Sequence, residues 1–312
     1  MERKFTVINL RPNDFIYPYF LIAGIKKKEE IETFPGVYRF SLDWLLKDIE
    51  ETLKLGITKV LLFGIPQEKD AQGSRAYSKN NIVAQAVKKI KNEFPGLTVM
   101  TDVCLCAYTS HGHCGILKSE NQPFIDNAKT IKILAKIALT HVEAGADYVA
   151  PSAMAKGQVS AIRKELDQNA FKKTKIMGYS AKFASNFYGP FRNACNSAPQ
   201  FGDRRAYQLD YADTGAALEE IRADIKEGAD IVMVKPALSY LDIIREAALE
   251  FDFPLAAYNT SAEYALVKFG AEKGLWEEKK IVREILTSIK RAGADLIISY
   301  HTKEVAQWLR EN

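Results

Sequence analysis

The sequence predicts an α/β chain closing into an eight-stranded (β/α)8 barrel, and three observations carry the prediction. Short runs that are apolar on both faces recur along the 312 residues. Amphipathic helical stretches lie between them. Three of those stretches end in the same tripeptide, Gly-Ala-Asp, at 145–147, 228–230 and 293–295. Each tripeptide leads at once into an apolar run: Tyr148-Val149-Ala150, Ile231-Val232-Met233-Val234 and Leu296-Ile297-Ile298-Ser299. Gly56-Ile57-Thr58 before Val60 is a looser copy. Glycine after a helix is the expected C-cap, because it takes the left-handed conformation without a Cβ clash. Runs apolar on both faces mark parallel strands covered on both sides.

Taken in order, strands are expected at Phe15–Ile22, Val60–Ile65, Leu97–Cys106, Tyr148–Ser152, Lys175–Phe183, Ile231–Pro236, Leu255–Ser261 and Leu296–Tyr300. Helical patterns separate them at Asp43–Leu55, Ile82–Phe94, Ala128–Ala144, Val159–Asn169, Ala216–Lys226, Ser239–Phe251 and Ile281–Arg291. Tyr264–Lys273 and Lys303–Leu309 add two more helices. This alternation is the signature of a TIM barrel. A doubly wound open sheet is the alternative, but no Gly-x-Gly-x-x-Gly follows the first strand. Residues 1–13 read as a short N-terminal arm and 14–312 as one barrel domain.

Hydrophobic content of 47% with 26% charged residues is globular composition. No apolar run approaches the roughly 18 residues of a membrane span. A net charge of +4, spread along the chain, lacks the concentrated basic stripe that nucleic acid requires. It suits a small anionic substrate. The mixed-sign blocks Lys26–Glu30 and Glu277–Lys280 read as solvated loops or helix ends. The N-terminus has no signal-peptide apolar core, so a cytoplasmic protein is expected.

Three of the four cysteines fall within Asp102–Gly115, which reads Asp-Val-Cys-Leu-Cys-Ala-Tyr-Thr-Ser-His-Gly-His-Cys-Gly. On a strand, Asp102, Cys104 and Cys106 would share one face, and Cys114 returns after a glycine-bounded loop. Thiolates gathered in this way suit zinc, with three protein ligands leaving a fourth position for water or substrate. His111 and His113 are alternative ligands. Buried inert cysteine and a disulfide are the rival readings, the latter disfavoured in a cytoplasmic chain.

Active sites of such barrels lie at the C-terminal strand ends. Read in order, those ends present Asp102, Cys104, Cys106, Ser152, Lys182, Lys235, Ser261 and Tyr300. A lysine beside apolar neighbours and a second cation has reason to lose its proton. A neutral amine attacks a ketone to form a Schiff base. The rival reading is that both lysines are exposed loop residues or phosphate binders.

Asp102–Gly115, Tyr179–Ser185, Phe187–Arg192, Gly202-Asp203-Arg204 and Met233-Val234-Lys235-Pro236-Ala237 together resemble the porphobilinogen synthase (5-aminolevulinate dehydratase) family. The similarity runs from about Asp14 to the C-terminus. The resemblance implies condensation of two 5-aminolevulinate molecules to porphobilinogen with loss of two waters, in tetrapyrrole (haem) synthesis. It implies Schiff bases on Lys235, for the substrate supplying the propionate side, and on Lys182, for the acetate side. It implies zinc on Cys104, Cys106 and Cys114, with the His-Gly-His loop orienting Cys114 rather than binding. Arg192 and Arg204 would clamp the acetate-side carboxylate, with Gln208 beside them. Ser261 and Tyr300 would hold the other carboxylate, and Asp102 would assist proton transfer. Asn193–Thr214 would be a lid over the site. A magnesium site would map to Glu220.

The chain departs from the family pattern at four positions. Lys156 stands where an aspartate is usual, an inverted charge beside the site. Ala153, Gly178 and Ala262 replace an aspartate of many relatives, a serine and a glycine. The arm is shorter than the family's, from which a homo-oligomer is expected to favour a dimer over an octamer. Two alternatives remain beside the synthase: another Schiff-base lyase of this barrel, aldolase-like on a keto acid, and a non-catalytic homologue binding a metabolite or partner.

Overall fold

The computed structural model describes residues 7–119, 122 and 124–311, so residues 1–6 of the expected arm lie outside the described residues. The chain runs β1 (Phe15–Ile22), β2 (Lys28–Glu30), β3 (Tyr38–Phe40), α1 (Leu42–Lys54), β4 (Lys59–Ile65), α2 (Ile82–Glu93) and β5 (Thr98–Val103). It continues through α3 (Asn127–Glu143), β6 (Tyr148–Pro151), α4 (Gln158–Gln168), β7 (Lys175–Lys182), α5 (Gly189–Ala194), α6 (Thr214–Glu227) and β8 (Ile231–Lys235). The last elements are α7 (Leu241–Glu250), β9 (Leu255–Tyr258), α8 (Ser261–Glu272), α9 (Glu278–Ala292), β10 (Leu296–Ile298) and α10 (Thr302–Trp308). β1 and β4 to β10 pair in parallel in chain order, and β10 pairs back onto β1 to close the expected barrel.

Closure explains why the strands are apolar on both faces. Along β1, Ile16 and Phe20 enter the main core, whereas Tyr17, Tyr19 and Leu21 meet α1 and α2 outside. Helix α1 answers with Leu45, Ile49 and Thr52, spaced to share one face. The Tyr19 hydroxyl sits 2.7 Å from Asp48 Oδ2 and 2.6 Å from Thr52 Oγ1, so its polar end is satisfied in the apolar layer.

The recurring tripeptide joins neighbouring strands at the barrel floor. Asp147 Oδ2 accepts from Val99 N at 2.8 Å, Asp230 Oδ2 from Ile176 N at 2.8 Å, and Asp295 Oδ2 from Leu255 N at 2.9 Å. The same aspartates donate their own N–H back to the carbonyls of Val99, Ile176 and Leu255. Each seam is thereby stapled by two hydrogen bonds between adjacent chain segments. The preceding glycines have φ of 107°, 99° and 133°, which lets the helix end and the strand begin within three residues. In the looser copy, Thr58 keeps a backbone bond to Thr98 N but has no carboxylate to complete the staple.

At the mouth the strands are shorter than their sequence pattern predicts. β5 stops at Val103, not Cys106; β9 stops at Tyr258, and Ser261 is the first residue of α8; β10 stops at Ile298, two residues before Tyr300. The residues past those points stay buried, apolar at Leu105 and Cys106 but polar at Asn259, Thr260, Ser261 and Ser299, so burial continues where the strand ladder has ended. Lys26–Glu30 is not simply loop. Lys28–Glu30 forms β2, antiparallel to β3, and β3 pairs with the upper end of β1 at Phe20 and Leu21. The hairpin thus covers the edge of β1 above short β10.

Candidate active site

Beyond Val103 the chain turns tightly, with Tyr108 N and Thr109 N both donating to Leu105 O at 2.8 and 2.9 Å. The turn brings Cys104 Sγ to 3.5 Å from Cys106 Sγ. The sulfurs of Cys104, Cys106 and Cys114 all lie within 4.8 Å of one another, and all three residues are buried. Crowding separates their acidities. The Cys114 thiol is pushed down by hydrogen bonds from Cys104 and Cys106, while the Cys104 thiol is pushed up as their partner. A buried cluster of soft sulfur donors of this size fits zinc. Neither histidine joins it. His113 donates from Nε2 to Phe201 O at 3.0 Å and meets Tyr207 OH through Nδ1 at 3.0 Å. His111 Nδ1 accepts from His113 N at 3.1 Å.

Lys182 and Lys235 are the last residues of β7 and β8 and stand in register with each other. A register shift between Gly178 and Ala181 re-aims the end of β7. Gly178 itself has a reason: a Cβ there would meet Asp224 Oδ2 at 2.5 Å. Both lysines are buried, at 6% and 4% exposure. Lys182 Nζ donates to Ser152 O at 2.5 Å. Lys235 Nζ sits 3.8 Å from the centroid of the Tyr258 ring, with Phe191, Tyr179 and Tyr188 at 4.9–5.3 Å. Burial, and then the charge of Lys182, push Lys235 down to about 7; Asp102 opposes the shift. Asp102 is pushed up by burial and by Cys106, against a hydrogen bond from Ser152. An acid and an amine, both titrating far from their ordinary ranges, face one space.

The expected carboxylate binders close this space from above. Arg192 sits in the last turn of α5, its Nε buried without a partner. Arg204 Nη2 donates to Gly112 O at 3.0 Å and Ser197 O at 2.6 Å, and its Nε is also unpartnered. Gln208, 5% exposed, has both side-chain polar atoms unpartnered. Buried polar atoms left unpaired cost about 1–3 kcal/mol each, so these three residues hold unused capacity for polar partners. Ser261 and Tyr300 are less free. Ser261 Oγ accepts from Phe191 N at 3.1 Å and donates to Phe187 O at 3.2 Å. Tyr300 OH lies 3.0 Å from Tyr258 OH. The segment expected to form the lid leaves α5 and returns beside β7, with Leu209 N bonded to Lys182 O and Ala184 N to Leu209 O.

Glu220 does not reach this site. It lies half-buried on α6, where Lys156 favours its charged form against burial and the charges of Glu227 and Glu219. Among the described residues it belongs to no group of three ligands. Glu219 and Glu227 thus act on Glu220 together with the Lys156 ammonium, without the three carboxylates gathering into a set of three ligand atoms. Lys156 is itself exposed, and it is not among the largest charges acting on Asp102 and Lys235.

Several functional neighbours escaped sequence reasoning. The aromatic cage of Lys235 draws on β7, α5, β9 and the turn before α5, so no local spacing betrays it. Glu263 gathers Ala237 N at 3.2 Å, Leu238 N at 2.5 Å and Thr260 Oγ1 at 2.9 Å, tying the loop after Lys235 to the loop before Ser261. Its signal was present: Thr260 followed three residues on by glutamate is a capping box.

The family model for delta-aminolevulinic acid dehydratase matches residues 1–308. The Bacillus subtilis delta-aminolevulinic acid dehydratase is 50% identical over 302 residues, 97% of this chain and 92% of that protein. The Archaeoglobus fulgidus protein of the same description is 51% identical over 306 residues, 98% and 94% of the two chains. Among solved structures, the Toxoplasma gondii ME49 enzyme in complex with the reaction product porphobilinogen superposes with a TM-score of 0.95. That likeness has 40% identity and covers 97% of this chain and 86% of the other. On the full-length family match and these near-complete alignments, the chain belongs to the delta-aminolevulinic acid dehydratase family.

Proposed function

We propose that the chain is a porphobilinogen synthase that works through two lysine Schiff bases and a zinc held by three thiolates. It is a hydro-lyase: two 5-aminolevulinate molecules condense to one porphobilinogen and two waters. The observation that carries the mechanism is the in-register pair of buried lysines beside the thiol cluster.

Lys235, brought near neutrality by burial and by Lys182, attacks the ketone of the substrate that supplies the propionate side. The carbinolamine loses water to give the Schiff base. Lys182 does the same for the second substrate and is oriented by the Ser152 carbonyl. Asp102, held partly protonated by burial, gives and takes protons beside both amines. Arg192, Arg204 and Gln208 bind the acetate-side carboxylate with the polar atoms they have unspent. Ser261 and Tyr300 meet the other carboxylate by exchanging their present partners. Cys104, Cys106 and Cys114 would hold zinc, which supplies Lewis acidity near the second substrate's amine. The lid excludes water.

Homo-oligomer formation is part of this reading. The exposed side chains of Leu266, Phe269, Leu275 and Trp276, close in the sequence of α8 and the segment after it, support a self-association surface, with a dimer expected. Light scattering across a concentration series tests it, and a concentration-independent octamer contradicts the dimer. A cytoplasmic location fits four free cysteines. No described helix is long and apolar enough to cross a membrane. The direct test of function is turnover of 5-aminolevulinate, read with a pyrrole-specific colour reagent, alongside borohydride trapping of the lysines. No pyrrole and no trapped adduct would remove the proposal.

A further inference from the structure

The loop that delivers Cys114 carries the lid on its back. Five hydrogen bonds join the two: Gln200 N to His111 O at 3.1 Å, Arg204 Nη2 to Gly112 O at 3.0 Å, His113 Nε2 to Phe201 O at 3.0 Å, His113 Nδ1 with Tyr207 OH at 3.0 Å, and Cys114 N to Tyr207 OH at 3.3 Å. Their directions are consistent. A carbonyl only accepts, so Nε2 of His113 carries the proton and Nδ1 of the neutral ring accepts. The Tyr207 hydroxyl then donates to Nδ1 and accepts from the N–H of Cys114. Protons are ordered in one line, from the backbone of a metal ligand, through a lid tyrosine, to a histidine that holds the lid backbone. The approach is close. Gly112 has φ of 72°, and a Cβ on it would stand 2.3 Å from Ala198 O of the lid.

We propose that His113 and Tyr207 are positioning residues that couple lid docking to metal retention at Cys104, Cys106 and Cys114. The inference rests on the reading that those thiols bind zinc. The loop from Thr109 to Cys114 must take one conformation to place the Cys114 sulfur, and that same conformation presents the lid's bonding partners. Metal that fixes the loop therefore favours the docked lid, and a docked lid slows metal loss. Linkage makes the two effects equal in size. Lid opening for product release then loosens one of three zinc ligands in every cycle.

The test needs two measurements on the full chain. Tryptic cleavage after Arg205, which is exposed within the lid, reports docking. Competition with a chromophoric chelator reports zinc affinity. Zinc is expected to slow cleavage of the unsubstituted chain about tenfold, within the usual range of coupling between sites. In Tyr207→Phe the protection should fall to within about twofold and zinc affinity should weaken by about the factor lost. Gly112→Ala, which keeps both latch side chains but blocks the approach, should do the same. It guards against a tyrosine variant that fails for reasons of packing. An unsubstituted chain that binds no zinc contradicts the metal reading itself. A chain that binds zinc but shows cleavage unaffected by it overturns the coupling alone, as does unchanged protection and affinity in both variants.

Discussion

The two lysines at the mouth of the barrel are neighbours in register but live in different surroundings. Lys182 faces a backbone carbonyl, Ser152 O, which fixes where its nitrogen points. Lys235 faces four aromatic rings, where Lys182 has only the shared Tyr179 ring at 5.6 Å. Aromatic faces attract an ammonium, by about 2 kcal/mol or more when the contact is desolvated. Burial and the neighbouring charge outweigh it and bring Lys235 down to about 7. The difference teaches that one wall of the site supplies orientation and the other supplies reactivity. The two amines need not be equivalent for both to form covalent bonds.

The largest effect should come from removing the reactive amine. Lys235→Met is expected to lower turnover by a thousandfold or more, in the range of ~10³ to 10⁶ seen when a nucleophile is lost. With limiting substrate, borohydride should place its adduct on Lys235, located by peptide mass. An adduct found first on Lys182 reverses the comparison. Next in size is the metal. Chelation should cost on the order of a hundredfold in turnover, while circular dichroism stays unchanged and Lys235 still traps substrate. Loss of trapping on chelation would show that the two walls are not separate devices.

The pH dependence sharpens the contrast further. Below about 7 the neutral fraction of Lys235 rises about tenfold per pH unit, so the trapping rate should climb with that slope and flatten above about 7. Lys182→Met removes a positive neighbour, which eases protonation of Lys235, and should move the midpoint upward. The same shift bears on stability. Between about 7 and the ordinary 10.5, the unfolded chain binds a proton that the folded chain does not. Stability therefore rises with pH across that window, and Lys235→Met should flatten the rise in denaturant titrations.

The smallest effect is expected far from both lysines. Asp230→Ala removes a carboxylate that accepts from Ile176 N and should cost about 1 kcal/mol, seen as a thermal midpoint lower by a few degrees. Turnover at saturating substrate should stay within about twofold, since the backbone bonds of the seam remain. A large loss of activity would mean that the floor and the mouth are mechanically tied.

The barrel was legible because its signals are periodic and repeated: doubly apolar runs, helical stripes and a glycine-marked C-cap before three strands. The thiols and both lysines were legible because their chemistry is rare at strand ends. What escaped had no local pattern. The hairpin of β2 and β3 consists of three-residue strands, one fully exposed and charged, and exists because β10 is too short to cover β1. The cage of Lys235 is assembled from residues up to about 80 positions apart, such as Tyr179 and Tyr258, and each reads alone as core. Strand ends were overrun at Cys106, Ser261 and Tyr300 because the chain stays buried past the last ladder bond, on apolar residues after Val103 and on polar ones after Tyr258 and Ile298. Glu220 followed from resemblance alone; among the described residues it joins no gathered set of three ligands, and the carboxylates of Glu219 and Glu227 and the Lys156 ammonium all act on it.

The floor staples have one more effect. Asp147, Asp230 and Asp295 each stand five positions before a residue of the site: Ser152, Lys235 and Tyr300. Only β8 runs as strand all the way to its site residue, and at about 3.3 Å per residue it sets Lys235 roughly 16 Å from the fastening at Asp230. For β8 the tripeptide acts as the zero mark of a ruler; β6 and β10 give way to loop before Ser152 and Tyr300. One residue inserted between Asp230 and Lys235 would leave the fastening intact. It would turn the side chain at the far end from the barrel interior to the surrounding helices. The direction in which the nucleophile faces is thus decided at the end of the barrel that substrate never touches.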